Sequence, residues 1–447
     1  MKTRHLNCRK SIIAMSLAAM CLFWVSCSTP RWLDPVYLID SYKSDGVLPV
    51  KVDGKWGFID FQGNMAIQPR YDSVEAFQEG LAMIGKNGQY GFVDRNGNVV
   101  VATQYDKVYD FHEGMAIVKK DDKYGFVDKT GKTVVKLQFD DVKNFREGLA
   151  NVEKDGKWGF VDRTGKMVIQ PRYNLAFGFH EGLAGVRVGD KWGFVDRTGK
   201  MVIEPRYDFV GDFNEGLARI EKDCKCGFVD KTGKIVIEPR FPYIDDFHEG
   251  MAIVKKDGKC GFIDKTGKTV VKLQYDDVKD FREGLARVKI DGKWGFVDNR
   301  GMAVIQPQFE EADGFSEGLA RVKMDGRWGF VDNRGEVVIK PRFEEAEGFS
   351  EGLASVVLYD NNVYIDKAGK VVLEPVCFLG SSFHDGYAVI YCSGNKNYRD
   401  MIELLSGDNK QLEKDFYDKM RIKIIDKQGS VVYDIPKKVF QYLLESK

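Results

Sequence analysis

The glycine of the phrase K-W-G-F-V-D returns at Gly57, Gly91, Gly125, Gly159, Gly193, Gly227, Gly261, Gly295 and Gly329, at one unvarying interval. A second phrase, F-x-E-G-L/M-A, keeps the same spacing from Gly80 to Gly352, with a weaker copy at Gly386. One extra residue in any copy would break the stacking of all that follow, so each unit must pack on its neighbour in the same way. Such a chain is an array, and its function has to be read from a surface made by repetition.

The stretch from Gly216 to Gly250 serves as the type unit. It reads as three short strands: Leu217–Glu221, Lys225–Asp230 and the β-branched Lys234–Glu238, closed by Pro239. Most units carry Asp-Gly or Asn-Gly between the first two strands, as at Asp155-Gly156 and Asn87-Gly88, which signals a two-residue hairpin. Between the second and third strands every unit has Asp-x-x-Gly, from Asp60 and Gly63 to Asp366 and Gly369, the pattern of a type I turn followed by a left-handed glycine. The unit is therefore a three-stranded antiparallel meander, and a parallel β-helix is excluded. Trp56 and Phe58, with their equivalents Trp158, Trp192, Trp294 and Trp328 and the phenylalanines beside them, share one face of the second strand as the core signature of the repeat. Tyr71, Phe77 and Leu81, with counterparts at Tyr207, Phe213 and Leu217, are placed to close the join to the next unit.

Lysine plus arginine and aspartate plus glutamate each number 67, so no net charge draws the chain to nucleic acid. Residues 1–27 differ from the rest: a basic start (Lys2, Arg4, Arg9, Lys10), an apolar run from Ile12 to Val25, then Ser26-Cys27. This is a secretory signal, too short for a comfortable membrane span. It reads as a lipoprotein signal with Cys27 as the lipidated residue, although Trp24 stands where an aliphatic side chain is usual; secretion with cleavage near Ser28 is the alternative. The expected location is the cell envelope, with a lipid anchor in a membrane. Five cysteines follow, Cys224, Cys226, Cys260, Cys377 and Cys392, an odd number that does not suggest a disulfide framework.

Along the chain, residues 1–27 form the signal, 28–45 an exit segment and 46–392 the repeat array. Residues 393–447 form a small α/β cap holding helical character near Tyr398–Met420, a partial repeat at Ile422–Pro436 and a last helix at Lys437–Ser446. Asp366 and Asp426 stand farther apart than one period, so sequence is inserted ahead of that partial repeat. Residues 112–165 and 248–301 are nearly identical, so the array grew by copying blocks of four units.

The phrases G-K-W-G-F-V-D, T-G-K and E-P-R-Y, repeated in register over about residues 46–392, resemble the WG-repeat family, found in many bacterial proteins including predicted lipoproteins. The resemblance implies a β-rich fold and no enzymatic activity that can be carried over residue by residue. Tyr90 and Tyr124 replace the tryptophan with another ring, whereas Cys226 and Cys260 do not.

Candidate chemistry is sparse. Cys224, Cys226 and Cys260 could form a redox or metal set, but no histidine completes a four-ligand site, and small buried residues spread by duplication explain Cys226 and Cys260 better. His112, His180, His248 and His384 share one repeat position that elsewhere holds Gln78, Arg146 or Ser316, as an exposed polar position would. The carboxylates from Glu79 to Glu351 and from Asp60 to Asp366 occupy one environment copied many times, whereas a catalytic pair needs two unlike ones. Turn formation and pairing with Arg172, Arg206, Arg240 or Arg342 account for them. No phosphate loop, nucleophile elbow or zinc-protease motif occurs, and no metal or cofactor is expected.

The expected fold is an all-β, open, elongated array of three-stranded repeats, with a closed β-propeller-like ring as the alternative. The expected function is a non-catalytic envelope protein that binds a protein or glycan partner or acts as a scaffold. A structural or adhesive spacer is the rival, and an enzyme with its site in residues 393–447 stands third. Metabolic labelling with a fatty acid is expected to mark the wild type and spare Cys27→Ser; label retained by the variant would refute the anchor.

Overall fold

The computed structural model describes Ile39 and residues 46–375, 377, 379–393 and 420–435. The signal with Cys27, most of the exit segment and the helices expected near Tyr398–Met420 and at Lys437–Ser446 lie outside these residues, save Met420, which begins a strand. The described residues form eleven antiparallel sheets in which strands follow one another in chain order; the first sheet has three strands and the others four.

The fourth strand corrects the three-stranded reading. In the fifth sheet the strands are Leu175–Ala176, Leu183–Val188, Lys191–Asp196 and Met201–Tyr207. The short opening strand pairs through only Leu175↔Arg187 and Ala176↔Val186, too little to leave a periodic trace in the sequence. It turns into the next strand through Glu181-Gly182, both at positive φ (51° and 86°). Of the other two turns, the first is Gly189-Asp190 here, with Gly189 at positive φ, and in most units the expected left-handed Asp-Gly or Asn-Gly pair; the second is the expected Asp-x-x-Gly turn, whose glycine amide bonds back to the aspartate carbonyl.

Pro205 does not end the last strand; it lies within a bulge. Trp192 pairs with Tyr207 and Phe194 with Ile203, so the last strand takes a longer path than the one it pairs with. Pro205 removes no needed donor there and blunts an edge strand. The bulge crosses directly over Gly193, where a Cβ would be driven into the Ile203 carbonyl oxygen and the Pro205 ring nitrogen. The same clash is found at Gly57 and Gly159. The Trp-Gly pair and the E-P-R phrase of the following strand are thus two halves of one contact.

Each core lies between sheets. Leu183, Trp192, Phe194, Ile203 and Tyr207 of the fifth sheet interlock with Val210, Phe213, Ala218, Ile220 and Val229 of the sixth. The phenylalanine of each third strand meets the one ahead of the next Glu-Gly turn edge to face, as in Phe160 with Phe179 and Phe194 with Phe213, both 4.9 Å between centroids. Burial plus this geometry is what joins one unit to the next.

The residues group into two compact bodies. One comprises Asp72–Met324 with Val331–Glu336; the other comprises the described residues up to Tyr71, Asp325–Phe330 and the described residues from Val337 onward. Within the second body the first and last sheets meet: Phe61 packs edge to face on Tyr433, 5.0 Å apart. The last sheet is completed by Met420–Asp426 and Val431–Asp434, the expected partial repeat, and Ser393↔Met420 pairs across the insertion.

Gly193→Ala is expected to lower stability by about 1–3 kcal/mol, the usual cost of forcing atoms into a filled space, whereas Gly211→Ala, with neighbours no closer than 3.5 Å, is expected to be near neutral. Urea unfolding midpoints of the two variants check this; equal midpoints would refute the account of the Trp-Gly pair.

Candidate binding surface

Most of the residues that sequence analysis singles out hold the sheets together. The Glu-Gly carboxylates reach the same turn of the following sheet: Glu113 accepts from the amides of Glu147 and Gly148, both at 3.0 Å, and from Arg163 at 2.5 Å. Glu181 likewise accepts from the Gly216 amide at 3.0 Å and pairs with Lys231 at 3.0 Å. A glutamate at positive φ is locally unfavourable, and this bridge explains why it stands where asparagine or aspartate would suit the turn better. The arginines of E-P-R do not pair with these carboxylates, contrary to expectation. Arg172, Arg206, Arg240 and Arg342 donate to the carbonyls of Gly199, Gly233, Gly267 and Gly369 in the next sheet. The ion-pair partners are instead the basic residues of the Asp-x-x-Gly turns, which the sequence does not single out.

Burial raises the Glu113 carboxyl, but Arg163 and the Gly148 and Glu147 amides outweigh it and hold it below the ordinary range. Glu181 and Glu215 are lowered by the same balance, with Lys231 and Lys265 as the cations. In the turns, the Thr164 hydroxyl first, then the Thr164 and Lys166 amides, lower Asp162 against the opposing effect of burial.

The tryptophans of the core signature sit at the margin of the inter-sheet core. Trp56, Trp158, Trp192 and Trp328 are buried and Trp294 is half-buried. Lys51 lies over Trp56, Lys143 over Trp158, and both Arg287 and Lys289 over Trp294. Phe58 and its equivalents are buried.

The cysteine and histidine candidates do not assemble into a site. Cys226 and Cys260 are buried free thiols pushed up by desolvation, and Cys224 is exposed and free. Cys377 and Cys392 form a disulfide that the odd count gave no means of assigning. His180 contacts Arg146 of the preceding sheet at 2.5 Å and Asp212 of the following one at 3.2 Å. Among the described residues no group of three or more metal-ligating side chains gathers.

What remains is a region where the repeat departs from itself. The first residue of the opening strand is a carboxylate in the fourth, eighth and ninth sheets, where Asp141, Asp277 and Glu311 pair with Lys143, Lys279 and Lys323. In the fifth, sixth and seventh sheets it is Leu175, Phe209 and Tyr243, exposed by 37%, 36% and 41%. Phe177 replaces Lys143 and stacks on Trp192 at 4.5 Å, with Phe209 edge-on to both at 6.1 Å. Gly185 makes room for it: a Cβ there would crowd Phe177 at 3.1 Å. Arg219 lies over Phe209 and Lys255 over Tyr243. The Tyr243 hydroxyl donates to Asp245, and burial followed by that carboxylate raises its pKa. This surface leaves no mark on the pattern the units share, because it lies where they differ.

The fold and surface define an all-β protein of tandem antiparallel meander sheets. WG containing repeats match in nine consecutive copies from residues 56–90 to 328–361, and the chain belongs to the family built from them. No curated protein matches the sequence. Among solved structures, a eukaryotic initiation factor is 12% identical with a TM-score of 0.36, covering 80% of this chain and 96% of that one. PorZ, a bacterial surface component of the type-IX secretion system of Porphyromonas gingivalis, is 10% identical with a TM-score of 0.24, covering 86% and 64%. Kluyveromyces lactis Hsv2p is 10% identical with a TM-score of 0.28, covering 59% and 95%.

Carboxylates with lowered pKa values stabilise the fold above their unfolded values and lose that contribution as pH falls through the folded ones. Unfolding midpoints are therefore expected to stay level from neutral pH to about 5 and to drop below about 4, the range of unperturbed glutamate and aspartate. Replacing Glu113 and Glu181 by Gln is expected to lower the neutral plateau and shrink the drop; an unchanged acid limb would refute the bridge.

Proposed function

We propose that this chain is a non-catalytic binding or scaffold protein of the cell envelope, held to a membrane through a lipid on Cys27, with a protein or glycan as partner. The observation that carries the reading is the run of exposed Leu175, Phe209 and Tyr243 in three consecutive sheets whose neighbours hold polar residues at that position. Exposed apolar surface bordered by charge marks interaction sites. A non-catalytic role is supported by the repeated Glu-Gly carboxylates such as Glu113 and Glu181, which bond backbone amides and pair with cations in one environment copied from sheet to sheet. Export is supported by the basic and apolar pattern of residues 1–27 and by the Cys377–Cys392 disulfide, which suits an oxidising compartment.

The test is affinity capture from envelope extracts with the full chain and with a Phe209→Asp variant as baits. The wild type is expected to retain a partner that the variant releases. Capture equal for both baits would remove this surface, and no capture by either would favour a plain spacer.

A further inference from the structure

Resting on that reading, we propose that the fifth to seventh sheets bind an acidic, apolar segment of a protein partner. Its carboxylates meet Arg187 and Lys255, and its apolar side chains lie on Leu175, Phe209 and Tyr243. A carboxylate is missing from two of these sheets. In the ninth sheet Glu311 stands across from Lys323 and pairs with it at 3.0 Å. The same cross-strand positions hold Leu175 with Arg187 in the fifth sheet and Tyr243 with Lys255 in the seventh. The apolar substitutions remove the carboxylate and keep the cation. Neither Arg187 nor Lys255 has an ion pair among the described residues, and the Arg187 Nε is buried without an acceptor. A ligand supplying separated carboxylates on an apolar backing completes what the ninth sheet completes internally.

The surroundings select among ligands. Glu221 stands across from Phe209 between the two cations, so a polymer charged at every unit meets repulsion in the middle, whereas a segment alternating acidic and apolar residues does not. Sugar stacking is disfavoured because Phe209 and Tyr243 each already carry a cation over the ring. Strand addition is disfavoured too: Asn151 Nδ2 already occupies the carbonyls of Ala176 and Phe177, and Arg219 that of Ile244.

Fluorescence anisotropy of a short labelled peptide alternating Glu and Leu, titrated with the purified full chain, tests the proposal. The peptide is expected to bind, and its Gln/Leu counterpart to bind about tenfold more weakly or worse, a loss of about 1.4 kcal/mol. Leu175→Asp with Tyr243→Asp restores the residue type of Asp141 and Asp277 and is expected to weaken binding at least as much, with the melting temperature held. Arg187→Gln with Lys255→Gln is a second variant with the same expected loss, again with the melting temperature held. Equal binding of the two peptides, binding indifferent to both double variants, no binding of the Glu/Leu peptide, or tighter binding of polygalacturonate would overturn the proposal. Capture of an envelope partner by the wild-type bait in any of those cases leaves the broader binding reading standing.

Discussion

The contact between the bulged last strand and the glycine of the Trp-Gly pair is the constraint from which the unit follows. A side chain at Gly193 would occupy the space of the Ile203 carbonyl, so the strand can cross only where the residue beneath it lacks a Cβ. The crossing keeps Trp192 opposite Tyr207 and Phe194 opposite Ile203 despite the extra length of chain between. With the phenylalanine so placed, it meets Phe213 of the next sheet, and the join repeats because the bulge repeats. A chain of this length can tolerate many substitutions on its polar turns, but a Cβ at this point is felt both within the sheet and between sheets.

Much of this architecture was legible in the sequence because turn chemistry is local. Asp155-Gly156 and Asp162 with Gly165 need particular backbone angles and announce them through residue type. The alternation of Trp158 and Phe160 about Gly159 gave the buried face. The opening strand was not legible, since a pairing as short as that of Leu175 and Ala176 leaves no period to detect. Nor was the Glu-Gly turn: a glutamate at positive φ runs against local preference, and only the amides of the following sheet explain it. The partners of Arg172 and its equivalents are hidden for a related reason, because a carbonyl acceptor has no sequence signature while a carboxylate does.

The candidate surface illustrates the opposite difficulty. Repetition makes shared residues conspicuous, and those residues proved to be joinery. Leu175, Phe177, Gly185, Phe209 and Tyr243 differ from their counterparts and lie on consecutive sheets, yet each looks unremarkable until cross-strand pairing sets Leu175 against Arg187 and Tyr243 against Lys255. In an array whose packing is settled by copies, departures from the copy are where a distinct chemical surface can be written.

In the last sheet, the second and third strands are joined by the whole stretch 394–419, and the ladder beside it runs on from Tyr387↔Asp426 to Ser393↔Met420 without a shift. Elsewhere this corner is commonly a bare Asp-Gly or Asn-Gly turn. The corner is therefore a splice point: sequence can be added there without changing the register that carries the inter-sheet core, and a repeat protein of this kind can acquire an appended segment at one unit while every other unit keeps its period.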